Sequence, residues 1–566
     1  MNNFAFFIAG YGKPNSSTEQ QLKKLHTVYP IYIVVGEDDP KLDEYKKAYT
    51  DNLIIFNKQD YIHRVDNLGT YAETHKICTY SRLVVDDFAK LHNIQYVGYL
   101  FDDIIQLRLR YSDNGIIRSI KDFKIDRIVD MYIELLNSSD NITIVGPPNS
   151  AFYIGINKYQ LNRYSQRYGN FFIYDIKKGL VKDESLIKAS VIEDMTLALY
   201  NNMFGRMSIC PAGLQVICRE PKKTADAYMG MSETEYYEQF QLITHNSRPI
   251  DLTKKNPKLI DWCNFTPKII SDSSINILSN NDSTFRDDFA IFILSHGRAY
   301  HMSTLKLILR CGYTGKWYII IDNEDDQAHD YYELFGKDHV VMFDKTHKAT
   351  EIDTFDMLDN NKAIVFARNA CFDIAKDLGL TTFLQLDDDY VELRSRYLDN
   401  NILKSIFVQD INSVLNEIIE FLQTTNVDCV AFSQTGDFIG GIGSAMFQER
   451  IKRKIMNSFF CRVDRPFNFS GRLNEDVTTY VSEGSRGKIF LTIADITLKQ
   501  LQTQSIEGGC TDLYQTFGTY YKSFYTVICC PSSVKVSEIG TSHKRIHHII
   551  DWDSAVPKIV SSKFKK

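Results

Sequence analysis

Short apolar runs alternate with helix-compatible stretches along this chain. Phe289–Leu294 is an unbroken apolar run, of the length expected for a strand buried on both faces. The spacing after it predicts a helix over Met302–Cys311, a strand over Trp317–Ile321 and a strand over Ala363–Phe366. A helix over Asn369–Leu378 and a strand over Thr382–Leu386 follow. Strand-helix-strand order with connections of this length demands parallel crossovers, hence a doubly wound α/β sheet. Ligands of such sheets sit outside the carboxyl ends of the strands, and Gly297, Asp322 and Asp387 fall at those ends. At the N-terminus, Phe4-Ala-Phe-Phe-Ile8 reads as another buried strand. It lacks the basic flank and the cleavage site of a signal peptide.

The pattern occurs twice. Phe7–Gly12 answers Ile293–Gly297, and Val34–Asp39 answers Ile320–Asp326. Leu100-Phe-Asp-Asp-Ile-Ile-Gln-Leu-Arg-Leu-Arg-Tyr111 answers Leu386-Asp-Asp-Asp-Tyr-Val-Glu-Leu-Arg-Ser-Arg-Tyr397, an offset of 386 − 100 = 286. Ile192-Glu-Asp194 answers Asn474-Glu-Asp476, Asp226-Ala-Tyr228 answers Asp512-Leu-Tyr514, and Asp261-Trp262 answers Asp551-Trp552. Six blocks hold one order and nearly one offset, which chance does not do. The expected architecture is a tandem duplication, with one domain at 1–275 and its copy at 285–566. The polar stretch 271–287 reads as the linker.

Composition narrows the class. A chain of 566 residues needs more than one core, and 44% hydrophobic with 24% charged residues is ordinary globular usage. A net charge of −6 rules out a polyanion-binding surface spread over the whole protein. Local patches such as Lys452-Arg453-Lys454 and Lys563–Lys566 remain as candidates. No apolar stretch reaches the roughly 18–20 residues of a membrane span. Eleven cysteines, with Cys529 and Cys530 adjacent and no C-x-x-C pair, fit reduced thiols in a cytoplasmic setting.

The chemistry concentrates at Asp387-Asp388-Asp389. Three consecutive carboxylates at the end of a buried strand repel one another unless a cation neutralises them. Alternate side chains of an extended segment face one way, so Asp387 and Asp389 can converge on one ion. Hard oxygen ligands select Mg²⁺ or Mn²⁺, which recruit substrate phosphates to complete their shell.

Four motifs in order resemble those of GT-A glycosyltransferases: the Asp-x-Asp at 387–389, the glycine loop Gly440-Gly441-Ile442-Gly443, the x-Glu-Asp at Asn474-Glu475-Asp476, and the C-terminal cluster His543, His547, His548. Ala367-Arg368-Asn369 is similar to the helix opening that precedes Asp-x-Asp in this family. The resemblance implies a metal held by Asp387, Asp389 and a C-terminal histidine, His543 or His547. It also implies catalytic carboxylates at Asp476, the general base, and Glu475. A UDP-sugar donor, UDP-glucose by default, would then be bound by Ser295, Gly297, Arg298, Asp322, Asp325, Arg368, Asn369, Asp388, Gly440 and Gly441. The metal would act as a Lewis acid on the leaving diphosphate.

The segments Ile-Leu-Ser-His-Gly-Arg298, Ile-Asp-Asn-Glu-Asp-Asp326 and Leu-Gln-Leu-Asp-Asp-Asp-Tyr390 resemble the TET-associated glycosyltransferases, a largely bacteriophage group with relatives of the base J glucosyltransferase. That implies a hydroxyl of 5-hydroxymethylcytosine or 5-hydroxymethyluracil in double-stranded DNA as acceptor, the sugar shielding the DNA from nucleases. A polysaccharide or protein acceptor is the alternative, and a non-catalytic two-lobed scaffold is the alternative of another class. The first copy carries Phe101 for Asp387, Leu83 for Asn369, and Thr253, Pro257 and Lys258 for the histidines. It is expected to be the degenerate half.

Overall fold

The computed structural model describes residues 3–65, 79–113, 116–148, 162–164, 170–182, 197, 201, 204–211, 213–219, 285–356, 362–400, 402–438, 440–444, 457–501, 521–539, 544–551 and 555. The chain divides into two compact units, Met1–Thr266 with Val556–Lys566, and Pro267–Ala555.

In the first unit, β1 (Phe4–Ala9), β2 (Ile31–Gly36), β3 (Leu53–Phe56) and β4 (Tyr96–Phe101) form a parallel block. A hairpin follows, β5 (Ile104–Asp113) and β6 (Ile116–Ile120), then β7 (Ile142–Val145), β8 (Asn162–Tyr164), β9 (Phe171–Asp175), β10 (Met207–Pro211) and β11 (Leu214–Cys218). The main sheet runs β3-β2-β1-β4-β9-β7-β10-β8, and β11-β5-β6 is a separate three-stranded sheet.

The second unit repeats the plan. Its strands are β12 (Phe289–Leu294), β13 (Lys316–Asp322), β14 (Val340–Phe343), β15 (Thr382–Asp387), β16 (Tyr390–Asp399) and β17 (Ile402–Phe407). After them come β18 (Cys429–Gln434), β19 (Ser458–Arg462), β20 (Phe490–Gln500), β21 (Val534–Ile539) and β22 (Arg545–Ile550). The order is β14-β13-β12-β15-β19-β18-β20-β16-β17. In both units the fifth strand, β9 or β19, pairs antiparallel with the fourth. The doubly wound sheet is therefore mixed, with its parallel block at one side.

Several side-chain hydrogen bonds recur at corresponding positions of the two units. The Gly12 amide donates to Asp39 as the Gly297 amide donates to Asp325, each at 2.9 Å. Lys13 and Arg298 donate their amides to the hydroxyls of Tyr45 and Tyr331. Thr18 and Thr304 each bridge the two ends of the turn after the fourth strand, donating to the carbonyl of Phe101 or Asp387. They accept from the amide of Ile104 or Tyr390.

The second core holds Phe292, Phe383, Phe459, Phe469, Cys371 and Val481, all buried. Each buried large apolar side chain contributes about 1.5–3 kcal/mol by removal from water. One expected element is different. Ala363–Phe366 is not a strand; Val365 and Phe366 open the helix Val365–Asp377. Their apolar run is a buried helix face, and periodicity alone does not separate that from a short buried strand. The third parallel strand is β14, in register with β13 from Ile319↔Val340 to Asp322↔Phe343.

Candidate active site

Register brings the candidate residues to one edge. Leu294 pairs with Ile320 on one side and with Asp387 on the other, so the loops after β12, β13 and β15 leave the sheet together. The loop Ser295–Ala299 is tied down at almost every residue. Ser295 Oγ donates to Asp388 Oδ2 at 2.7 Å, and Arg298 Nη1 donates to Asp388 Oδ1 at 3.0 Å. Gly297 has φ +66°, a region costly for a residue with a Cβ. Asp325, with a side chain 0% exposed, accepts from the amides of Gly297 and Gln327.

That changes the expectation for Asp325. Its carboxylate is spent on two backbone amides and faces no solvent, so it braces the loop and does not meet a uracil or ribose. Asp322 lies closer to the edge. It accepts from Lys345 Nζ at 3.2 Å, and His296 Nδ1 lies 2.8 Å from its other oxygen. Burial works to raise the Asp322 pKa, but His296 and Lys345 more than offset it and hold it below the usual range. Asp322 in turn raises the pKa of half-exposed His296.

The three aspartates have separate partners. Asp387 Oδ1 accepts from Arg368 Nη2 at 2.9 Å. Asp388 is turned to the Ser295–Arg298 loop. Asp389 Oδ2 accepts from Gln500 Nε2 at 3.2 Å, while its Oδ1 is buried with no hydrogen-bond partner. Burial, reinforced by Asp387 and Asp388, pushes the Asp389 pKa up to about 6.

Arg368 is a second departure. It was expected at the donor diphosphate, yet its guanidinium is 1% exposed. Nε donates to Glu475 Oε1 at 3.1 Å, and the group stacks 4.7 Å from the centre of the Phe459 ring. Burial opposes its charge, but Asp387 and Glu475 hold its pKa above the ordinary arginine value. It is therefore a cation under the site, holding two carboxylates. In the first unit Phe101 stands where Asp387 does, 6.0 Å from the buried Arg82 guanidinium.

Asn369 is also committed. Its amide donates to the carbonyls of Val365 and Phe469 and accepts from the Phe469 amide. It clamps the helix to the 467–469 segment, and both its N–H groups are used in doing so. A cavity of about 750 Å³ lies beside it, lined by Lys348, Asp353, Asn369, Arg486 and Cys529 among others. No other expected site residue reaches that cavity.

Glu475 and Asp476 open the helix Glu475–Gly484 behind Asn474, which has φ +58°. Burial raises both pKa values; Arg368 opposes this at Glu475, and the Val477 amide, donating at 2.7 Å, opposes it at Asp476. Gly440 and Gly441 have φ +96° and +59°, conformations that L side chains rarely adopt, so the loop after β18 requires glycine there. His543 lies outside the described residues. His547 Nδ1 is 3.4 Å from Ser523 Oγ. His548 Nδ1 is buried without a partner, its pKa lowered to about 4 by burial, His547 and Lys522. Among the described residues no three His, Cys, Asp or Glu side chains stand together as a preformed metal cage.

His296, Lys345 and Gln500 escaped the sequence reading. Only His296 carried a signal, its place in Ser-His-Gly-Arg at a strand end.

Part of the unit that holds these groups, ending before His547 and His548, is similar to the TET-Associated Glycosyltransferases. Residues 289–509 match that family. The match lies within the C-terminal α/β unit and is to a glycosyltransferase family. No curated protein is similar to the chain. Among solved structures, glucosyl-3-phosphoglycerate synthase from Mycobacterium tuberculosis, in complex with Mg²⁺ and uridine diphosphate, is 8% identical, with 48% of this chain and 88% of that chain covered and a TM-score of 0.27. The same enzyme with Mn²⁺, uridine diphosphate and phosphoglyceric acid is 9% identical over 46% and 86%, with a TM-score of 0.26. Among the described residues no helix is long and apolar enough to cross a membrane.

Proposed function

We propose that the C-terminal unit transfers a sugar from a UDP-sugar to the hydroxyl of a 5-hydroxymethylpyrimidine in DNA, with Mg²⁺ or Mn²⁺. The observation that carries the metal is Asp389 Oδ1, a buried carboxylate oxygen without a donor, in a pocket where Asp387 and Asp388 already raise its pKa. An unsatisfied buried acceptor costs about 1–3 kcal/mol. A divalent cation satisfies it and offsets the repulsion, so the residues present fit such an ion.

Asp389 and Asp387 would hold the ion, with His548 or His547 joining from β22. When bound, it supplies Lewis-acid stabilisation of the charge developing on the departing diphosphate. Arg368, 2.9 Å from Asp387 Oδ1, holds that carboxylate in place. Asp476, its pKa raised by burial, takes the proton from the acceptor hydroxyl, since a base works best when its pKa approaches the operating pH. The Gly440–Gly443 loop lets backbone approach the donor, and Asp322 faces the nucleoside. The N-terminal unit is the degenerate copy: Phe101 replaces a metal ligand, and Asp102 is tied to Lys13 at 3.1 Å.

The DNA acceptor rests on the family to which 289–509 is similar. Donor hydrolysis tests the site. It should require Mn²⁺ or Mg²⁺ and be lost in Asp389→Ala; metal-dependent turnover retained in that variant refutes the assignment.

A further inference from the structure

The hairpin of β16 and β17 grows directly out of the aspartate cluster. Tyr390 follows Asp389, and Gln500 at the end of β20 bonds back to it. Register places Arg394 opposite Phe407 and Arg396 opposite Ser405, on one face because directly paired residues point the same way. The Arg394 guanidinium lies 4.1 Å from the centre of the Phe407 ring, which is 52% exposed. That of Arg396 lies 3.9 Å from the Phe438 ring, and β17 packs against the Gly441–Gly443 turn, where Ile442 is exposed.

The charge on this face is only partly compensated. Arg394 lies 3.5 Å from one oxygen of Glu392, whose other oxygen pairs with Lys499 at 2.8 Å. Arg396 makes no ion pair among the described residues; its hydrogen bond goes to the Thr497 hydroxyl. Burial and the neighbouring Arg394 lower its pKa, against the attraction of Asp437. Two adjacent guanidiniums, each laid on an aromatic ring and only partly met by carboxylates, offer positive charge beside flat groups. They fit an anion with repeating charge and flat groups that stack.

We infer that this face of the β16–β17 hairpin docks the phosphate backbone of the acceptor DNA, Arg394 and Arg396 each meeting a phosphate. The inference rests on the acceptor proposed above and assigns its docking surface. At about 3.3 Å per strand residue, the two arginines lie roughly 16 and 23 Å along the chain from Asp389. With about 3.4 Å per nucleotide of a duplex strand, they meet phosphates some five to seven nucleotides from the reacting base. They therefore hold flanking duplex and leave the hydroxyl to Asp476.

The test is binding of the full chain to an unmodified fluorescent duplex, read by anisotropy across a salt series. Arg394→Gln with Arg396→Gln should lower the slope of log K against log salt by about 1.8, for two lost phosphate contacts. The affinity gap should widen to roughly 60-fold at about 0.1 M salt from none near 1 M. Lys46→Gln with Lys47→Gln, on an exposed helix of the other unit, removes the same charge and should change neither. Thermal unfolding shows that both variants are folded, and Arg394→Lys with Arg396→Lys should recover most of the slope. If the double glutamine variant binds like the wild type, or the control loses as much, the hairpin is not the docking surface and the DNA acceptor still stands. If the wild type binds no duplex at all, the acceptor reading itself fails.

Discussion

Replacing Arg368 by methionine probes the centre of the site. Methionine keeps much of the side-chain length and the contact with Phe459 and Phe469, and removes a cation that touches both Asp387 and Glu475. Breaking a buried ion pair by removing one partner costs about 3–5 kcal/mol, because the remaining charge has no compensation. Here two carboxylates are stranded, and solvent screening is minimal at 1% exposure. For a unit of this size each kcal/mol moves Tm by about 2–4 °C, so unfolding in EDTA near neutral pH should begin roughly 6–20 °C lower. Saturating Mn²⁺ should return part of that loss, about 2.7 kcal/mol at one hundred times its Kd, since the ion can replace the missing positive charge beside Asp387. Differential scanning calorimetry with and without Mn²⁺ reads both effects. A shift under about 2 °C in EDTA would show that Arg368 is not what holds these carboxylates.

Two further outcomes follow from the geometry. The folded pKa of Asp389 is raised to about 6, so the metal-free protein has a stability contribution from this group that is fully present below the usual carboxylate range and is lost as pH rises through about 6. Mn²⁺ must displace that proton, and its affinity should fall up to tenfold per pH unit below about 6; a pH-independent titration by calorimetry contradicts this. In the first unit, Asp102→Ala with Asp103→Ala should leave transferase activity within about twofold while lowering Tm by a few degrees, because buried Asp102 only ties Lys13 and the Tyr11 amide. Complete loss of turnover in a folded variant would give the first unit a catalytic part.

Much of the architecture was legible because strand ends and duplication leave linear traces. The offset of 286 that aligns Phe101 with Asp387 also aligns Asp39 with Asp325 and Tyr45 with Tyr331, residues with the same hydrogen bonds in both units. What the chain order hides is which side of a carboxylate faces solvent. Asp325 and Asp322 are both acidic at a strand end, and the amides of Gly297, brought back by the loop, and of Gln327 consume Asp325. Arg368 looked like a diphosphate ligand because its burial is supplied by Phe459, Phe469 and Glu475, about a hundred residues further on. Ala363–Phe366 read as a strand because a helix that starts beneath the sheet presents the same apolar run.

The proposed chemistry is one metal-assisted sugar transfer at Asp389. Its most direct test is incubation of the full chain with UDP-sugars, Mn²⁺ and either hydroxymethylated or plain duplex DNA, followed by nucleoside mass spectrometry. Glycosyl-hydroxymethylpyrimidine should form with the wild type only when metal is present, and Asp389→Asn should form none. No modified nucleoside with any donor, or equal product from Asp389→Asn, would contradict the account.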